Sequence, residues 1–265
     1  TDKVPNTSAT AASSGTDLNG MAARNAARKI RRRLANFAAR EFEVPANEIH
    51  FLPNRVQAGN HVLTFDELVL KAYFNRVQLS ATGFYRTPKI NYDREKASGR
   101  PFFYFSYGAA VSEVAIDTLT GESRVLAVDI IHDVGKSINP ALDIGQIEGG
   151  FIQGLGWLTT EELYWNKRGR LMTHSPSVYK IPTCGDRPEN FNIEIWERGI
   201  NSESTIHRSK AVGEPPLMLA ISVFHAISDA ISSLGNYQVL ANLDAPATPE
   251  RILAAIEEIK SINIT

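Results

Sequence analysis

The sequence predicts an α+β fold of mixed helices and antiparallel strands. Helix-like and strand-like stretches interleave without a regular βαβ period, and no tandem repeat is visible. The chain has 265 residues and is 43% hydrophobic, enough for one large core or two smaller ones.

Residues 1–17 read as a loop rich in Thr, Ser and Ala, with Asp17 placed to cap the helix that follows. Ala23, Ala27, Ile30, Leu34 and Phe37 then recur at helical spacing. Arg28, Lys29 and Arg31 to Arg33 make the other faces basic, which reads as a solvated surface with phosphate or partner contact as the alternative. Residues 41–60 are ambiguous, being interrupted by Pro45 and Pro53. Asp66 to Val77 reads as a second helix, capped by Thr64 or Asp66, and Leu79 to Asp93 as a strand followed by an extended loop.

Tyr104 to Ile116 and Val125 to His132, joined through Leu119-Thr120-Gly121-Glu122, predict a hairpin. Asn139-Pro140 marks a turn or helix start, and Ile147, Phe151, Leu155 and Leu158 give a helical stripe. Five glycines, at 145, 149, 150, 154 and 156, oppose an isolated helix there. Close approach to another helix or to a ligand would explain them, and spacing alone does not choose. Trp165 to Leu171 reads as a hairpin and Asn192 to Trp196 as a short strand. Pro216 to Ile231 is the strongest helix, ended by Gly235, and Pro249 opens the last one behind Thr248.

Lys plus Arg total 28 and Asp plus Glu total 29, a formal charge of −1, so no charge excess points to nucleic acid or an anionic membrane. No apolar run long enough to span a bilayer and no signal segment is read, and a cytoplasmic location is expected. The single cysteine, Cys184, allows no internal disulfide and reads as structural or surface. Asn6-Thr7-Ser8 matches a glycosylation acceptor pattern, a weak signal. The chain opens without Met, as a processed subunit or a piece of a longer protein would. Zinc spacings, phosphate-binding glycine loops and GxSxG are all missing from the sequence. His225 reads as a packed core residue. His132 and Asp133, being neighbours on a strand, face opposite ways.

One carboxylate stands out. In KAVGEPP, Glu214 lies between a glycine and two prolines, just before a helix start. A helix N-terminus favours an ionised carboxylate, whereas a pocket would raise its pKa. Cap and catalytic acid–base roles both fit.

Seven ordered segments share one resemblance: Asn6 to Gly20, Leu79 to Pro88, Pro101 to Gly121, Asn139 to Gly156, Tyr179 to Pro182, Ser209 to Pro216 and Asp244 to Glu250. Together they resemble the C-terminal part of the molybdenum-binding portion of the xanthine dehydrogenase/xanthine oxidase family. The match covers nearly the whole chain except residues around 41–62. AVGEPP, where aldehyde oxidases carry a GLGES-like segment, resembles the xanthine branch. A purine substrate is therefore expected, with aldehydes or other N-heterocycles as the alternative.

The resemblance implies a molybdenum–molybdopterin cofactor and hydroxylation of xanthine or hypoxanthine to urate. Glu214 would be the catalytic base, taking a proton from a hydroxyl on molybdenum while hydride passes to its sulfur. Gln146 would hydrogen-bond an oxygen close to the metal. Ala11, Ala12, Ser13 and Ser14 would offer backbone N–H groups to the pterin. The whole chain, 1–265, is expected to be the C-terminal half of the cofactor-binding region. The partners implied are the other half of that region and the domains carrying 2Fe-2S clusters and FAD, in a dimer of catalytic units. NAD or oxygen would accept the electrons. The family's second active-site acid and its substrate-orienting arginine match nothing here. This chain alone is expected to hold no cofactor stably.

Overall fold

The computed structural model describes residues 11–262, and the chain divides into two compact units, Thr1–Phe103 and Tyr104–Thr265. The Asn6 to Thr10 part of the first family-like segment, with its acceptor pattern, lies outside the described residues.

In the first unit a π-helical turn, Thr16–Gly20, runs into helix α1, Met21–Glu41. The position before that turn is Gly15, with no side-chain cap, so Asp17 sits inside the first turn instead of capping it. Residues 41–60 resolve into a meander. Strands β1 (Ile49–Leu52), β2 (Arg55–Ala58) and β3 (His61–Thr64) pair antiparallel through two-residue loops. Asn54 and Gly59 supply the left-handed backbone these loops need (φ 56° at each). Helix α2, Phe65–Phe74, starts with a capping box in which Thr64 and Glu67 satisfy each other's backbone N–H. Leu34, Phe37 and Ala38 of α1 share a core with Ile49, Val56, Ala58, Leu68 and Ala72. A small hairpin follows, β4 (Asn91–Asp93) with β5 (Ser98–Arg100).

The first half of α1 behaves differently from its periodicity. Ala23 and Ala27 are exposed; Ala22 and Ala26 instead face Gly83, where a Cβ would collide with the helix backbone. Residues 78–84 form no sheet strand. Their carbonyls are taken by α1 side chains: Asn25 donates to Phe84, Lys29 to Thr82, and Arg33 to Ser80 and Gln78. Donors every fourth helical residue advance about 6 Å, close to two residues of extended chain. Part of the basic face is thus a hydrogen-bonding comb, while Arg28, Lys29, Arg31 and Arg32 remain exposed, as a solvated surface requires. Arg31, also exposed, lies 4.9 Å from the Phe51 ring centroid.

The second unit is built on a three-stranded sheet in the order β6 (Gly108–Ile116), β7 (Ser123–His132), β8 (Asn190–Ile195). β6 and β7 form the expected antiparallel hairpin, with a register shift at Glu113/Val114. β8 pairs with β7 in parallel, so one crossover carrying a helix is present where antiparallel pairing is predicted. The long loops around that helix hide the crossover from a periodicity reading. Helices α3 (Pro140–Thr159), α4 (Ile221–Ser233) and α5 (Pro249–Ile262) bury Ile147, Phe151, Leu155, Val223, Ile227, Ile231, Ile252 and Ile256 with Val128 and Ile130 of β7.

A 3-10 turn, Pro215–Ala220, leads directly into α4. The joined run Pro215–Ser233 is, among the described residues, long and apolar enough to cross a membrane by length and composition, a span the sequence reading does not register. Pro216, Ala220, Val223, Ile227 and Ile231 of that run are buried in this unit's interior, as expected of a core helix.

Candidate active site

Helix α3 explains its glycines. Asn139 caps it by accepting from the Leu142 N–H, and Pro140 follows in the first turn. Ile147, Phe151 and Leu155 point one row into the core. Gly150 and Gly154 form the adjacent row, against the turn Pro215–Ala220. A Cβ at Gly150 would stand 3.2 Å from the Gly213 carbonyl oxygen and 3.2 Å from Pro216 Cβ. A Cβ at Gly154 would overlap the Leu217 carbonyl and reach within 2.8 Å of Ala220 Cβ. Gly145 and Gly149 differ: a Cβ at either meets nothing within 4 Å among the described residues.

Gln146 lies four residues before Gly150, on the same helical row and about 6 Å along the axis. Gly150 touches the carbonyl of Gly213, the residue before Glu214. This contact seats the segment before Glu214 on the helix that carries Gln146, 68 positions earlier in the sequence. Both Gln146 and Glu214 are exposed.

Glu214 occupies the position preceding the 3-10 turn (φ −103°, ψ −36°) but makes no side-chain capping hydrogen bond. That removes the support for a cap role and leaves the carboxylate available. The chain leading to it is held closely. The Ser209 carbonyl accepts from Asn201 (3.0 Å) and Thr205 (2.7 Å). The Lys210 N–H donates to Val134 O, and its ammonium pairs with Asp133 at 2.5 Å, the two side chains being 7% and 14% exposed. The N–H of Ala211 donates to the Tyr104 hydroxyl at 2.7 Å, while its carbonyl accepts from Ser106 at 3.0 Å. None of these partners is apparent in the sequence. The alternation of two hydroxyls, Tyr104 and Ser106, is the one signal that could have drawn notice.

In the first unit, Ala11 to Ser14 form a tight turn. Ala12 and Ser13 are both left-handed (φ 54° and 51°), and the Ser14 N–H and hydroxyl donate to the Ala11 carbonyl at 3.2 and 2.6 Å. Two consecutive non-glycine residues in this region cost about 1–2 kcal/mol each. Ala11 and Ala12 are exposed, so the strain presents backbone, with no large side chain over it, at the start of a helix.

The other candidates separate cleanly. His225 is exposed and meets Phe224 edge-on, which corrects the core reading: it falls on the outer face of α4. Among the described residues His132 is the buried histidine, 2% exposed, and its Nδ1 has no hydrogen-bond partner there. Asp133 turns away from it to Lys210, as strand alternation requires. Burial pushes the His132 pKa down, the nearby Asp133 charge opposes this and Lys210 reinforces it. Cys184 is exposed at the start of a 3-10 turn. Among the described residues, no three of His, Cys, Asp or Glu gather as metal ligands.

Residues 1–188 match the family model described as the molybdopterin cofactor-binding domain. The chain is 47% identical to a xanthine dehydrogenase of Oryza sativa subsp. japonica over 271 residues, covering 98% of this chain and 18% of that protein. It is 45% identical to a xanthine dehydrogenase/oxidase of Rattus norvegicus, covering 100% of this chain and 19% of the relative. The chain thus spans under a fifth of the length of these curated relatives. Among solved structures, the CO dehydrogenase of Oligotropha carboxidovorans superposes with a TM-score of 0.78 at 21% identity, over 98% of this chain and 31% of that one. Quinoline 2-oxidoreductase from Pseudomonas putida 86 gives 0.71 at 26% identity, over 88% and 28%. The first of these speaks to the fold alone. The family-model match spans well over half of the chain, and on that ground the chain belongs to the molybdopterin cofactor-binding domain family.

Proposed function

We propose that this chain is the C-terminal half of the molybdenum-binding region of a purine hydroxylase, oxidising xanthine or hypoxanthine to urate with Glu214 as general base. The observation that carries the reading is the placement of Glu214. It is an exposed carboxylate, free of any capping bond, on a loop seated against Gly150 one helical turn from Gln146. The identity with xanthine dehydrogenases supports the purine substrate.

Each unit, taken by itself, offers residues that suit a molybdenum–pterin group. Gly145 and Gly149 leave the helix surface beside Gln146 bare and open, which suits close approach of a bulky group. The left-handed turn at Ala12 and Ser13 presents backbone amides suited to oxyanions. When bound, the group supplies the redox chemistry and takes up the two electrons of the hydroxylation. Glu214 accepts a proton at a carboxylate oxygen as the substrate carbon is attacked. Gln146 offers an amide that orients without titrating. Ala11, Ala12 and Ser13 hold the pterin through backbone N–H groups, and Ser14 closes their turn by donating its own N–H to the Ala11 carbonyl. The 2Fe-2S clusters, FAD and the rest of the cofactor enclosure reside in the remainder of the longer protein, which works as a dimer in the cytoplasm.

The substrate class is tested on the complete protein by comparing kcat/KM for xanthine and hypoxanthine with that for aromatic aldehydes. The proposal expects the purines to lead by at least about 100-fold, within the discrimination a site gains when a competitor leaves its polar groups unpaired. A preference for aldehydes would replace the purine assignment.

A further inference from the structure

We propose that Tyr104, Ser106, Lys210 and Asp133 form a clamp whose task is to position the Glu214 carboxylate. This rests on the reading of Glu214 as the base, and it assigns four positioning residues to that reaction. The clamp acts on the backbone immediately before Glu214. At Ala211 both backbone polar groups are held, the N–H by Tyr104 Oη and the carbonyl by Ser106 Oγ. Tyr104 and Ser106 are two residues apart and so present their hydroxyls on the same side of an extended segment. One residue earlier, the Lys210 ammonium is fixed by the Asp133 carboxylate and lies 4.8 Å from the Tyr107 ring centroid. Asp133 is itself oriented, because its other oxygen accepts from the Gly135 N–H at 2.7 Å. A Cβ at Gly199 would collide with that same oxygen, so this side has no room for the carboxylate to swing.

An ion pair this buried is weak evidence for stability, because desolvation offsets much of the attraction. Its geometric effect is firmer: it fixes where Lys210 lies. Beyond Glu214, Pro215 and Pro216 restrict the dihedrals and Pro216 is buried. Only Val212 and Gly213 separate the Ala211 anchor from the carboxylate, and the Gly213 carbonyl rests on Gly150. The exposed carboxylate makes no capping hydrogen bond to a described residue, so the backbone anchors decide where its Cα, the root of the side chain, is held.

The test uses the complete, molybdenum-loaded protein in a double-mutant cycle of Tyr104→Phe and Glu214→Gln. The readout is anaerobic single-turnover reduction by xanthine, per mole of bound molybdenum. Tyr104→Phe is expected to slow reduction about tenfold, since sub-ångström displacement of a catalytic group costs that order. Substrate affinity and molybdenum content should stay unchanged. In the Glu214→Gln background, where only slow residual reduction remains, the same substitution should cause no further loss. Ser106→Ala is expected to behave alike and stands in if Tyr104→Phe does not fold. An equal loss in both backgrounds, or an effect confined to molybdenum content or thermal stability, overturns the clamp. Near-normal reduction by Glu214→Gln alone instead overturns the reading of Glu214 as base, a separate result from the same four proteins.

Discussion

Two pairs of glycines on one helix, Gly150 with Gly154 and Gly145 with Gly149, share a sequence spacing and differ in what they face. The first pair lets α3 and the turn Pro215–Ala220 meet backbone to backbone. The second pair faces no described atom of the chain. A glycine inside a helix costs roughly 1 kcal/mol relative to alanine in either place. At 150 and 154 packing offsets that cost within the chain. At 145 and 149 no described residue offsets it, which leaves that face of the helix open to approach by a bound group.

The largest effect expected from breaking this contrast is at Gly154. Gly154→Ala drives a methyl group into the Leu217 carbonyl and should destabilise the fold by about 1–3 kcal/mol, the range for overpacking. Gly150→Ala, with clearances of 3.2 Å, should cost less. Chemical denaturation midpoints measure both, and equal tolerance at the two positions would contradict the packing account.

Gly145→Ala and Gly149→Ala should act in the opposite sense on stability, raising it by up to about 1 kcal/mol through helix propensity. In the complete protein the same changes should lower the molybdenum content after purification. Stabilised protein with full molybdenum would show that this face approaches no bound group.

A smaller effect concerns acid. Burial holds the His132 imidazole below its ordinary pKa, so the unfolded chain takes up a proton that the folded chain resists. The stability this contributes is complete above the ordinary imidazole pKa and falls as the pH drops through it towards the folded value. Urea midpoints should therefore decline between about pH 7.5 and pH 5, a window bracketing the free imidazole. His132→Gln, which cannot titrate, should flatten that decline. An unchanged slope would assign the acid sensitivity to other groups.

Much of the second unit was legible in the sequence because local signals and burial agree there. The β6–β7 hairpin followed from alternation and a Thr-Gly turn, and the start of α3 from Asn139-Pro140. Glu214 stood out through its glycine and proline neighbours and Gln146 through motif resemblance, while the Gly150–Gly213 contact that links their segments is encoded by no local pattern. The extended segment 78–84 read as a strand because its residues favour extension. Its partner is a row of side chains on α1, and no periodicity reports that. The parallel β8 was hidden by a crossover of nearly 60 residues, and the clamp by separations of 77 to 107 positions. Side chains whose role depends on distant backbone, such as Tyr104 and Asp133, look ordinary until the fold brings their partners to them.

The central claim is that Glu214 is a base held in place and not a helix cap. Its most direct test is Glu214→Gln in the complete protein with verified molybdenum content, followed by anaerobic single-turnover reduction with xanthine. The amide keeps the shape and can still accept a hydrogen bond, but it cannot take the proton. The account predicts folded protein with full molybdenum that is reduced at least about 100-fold more slowly, the lower end of general-base losses. Reduction within a few-fold of the unsubstituted protein would contradict it.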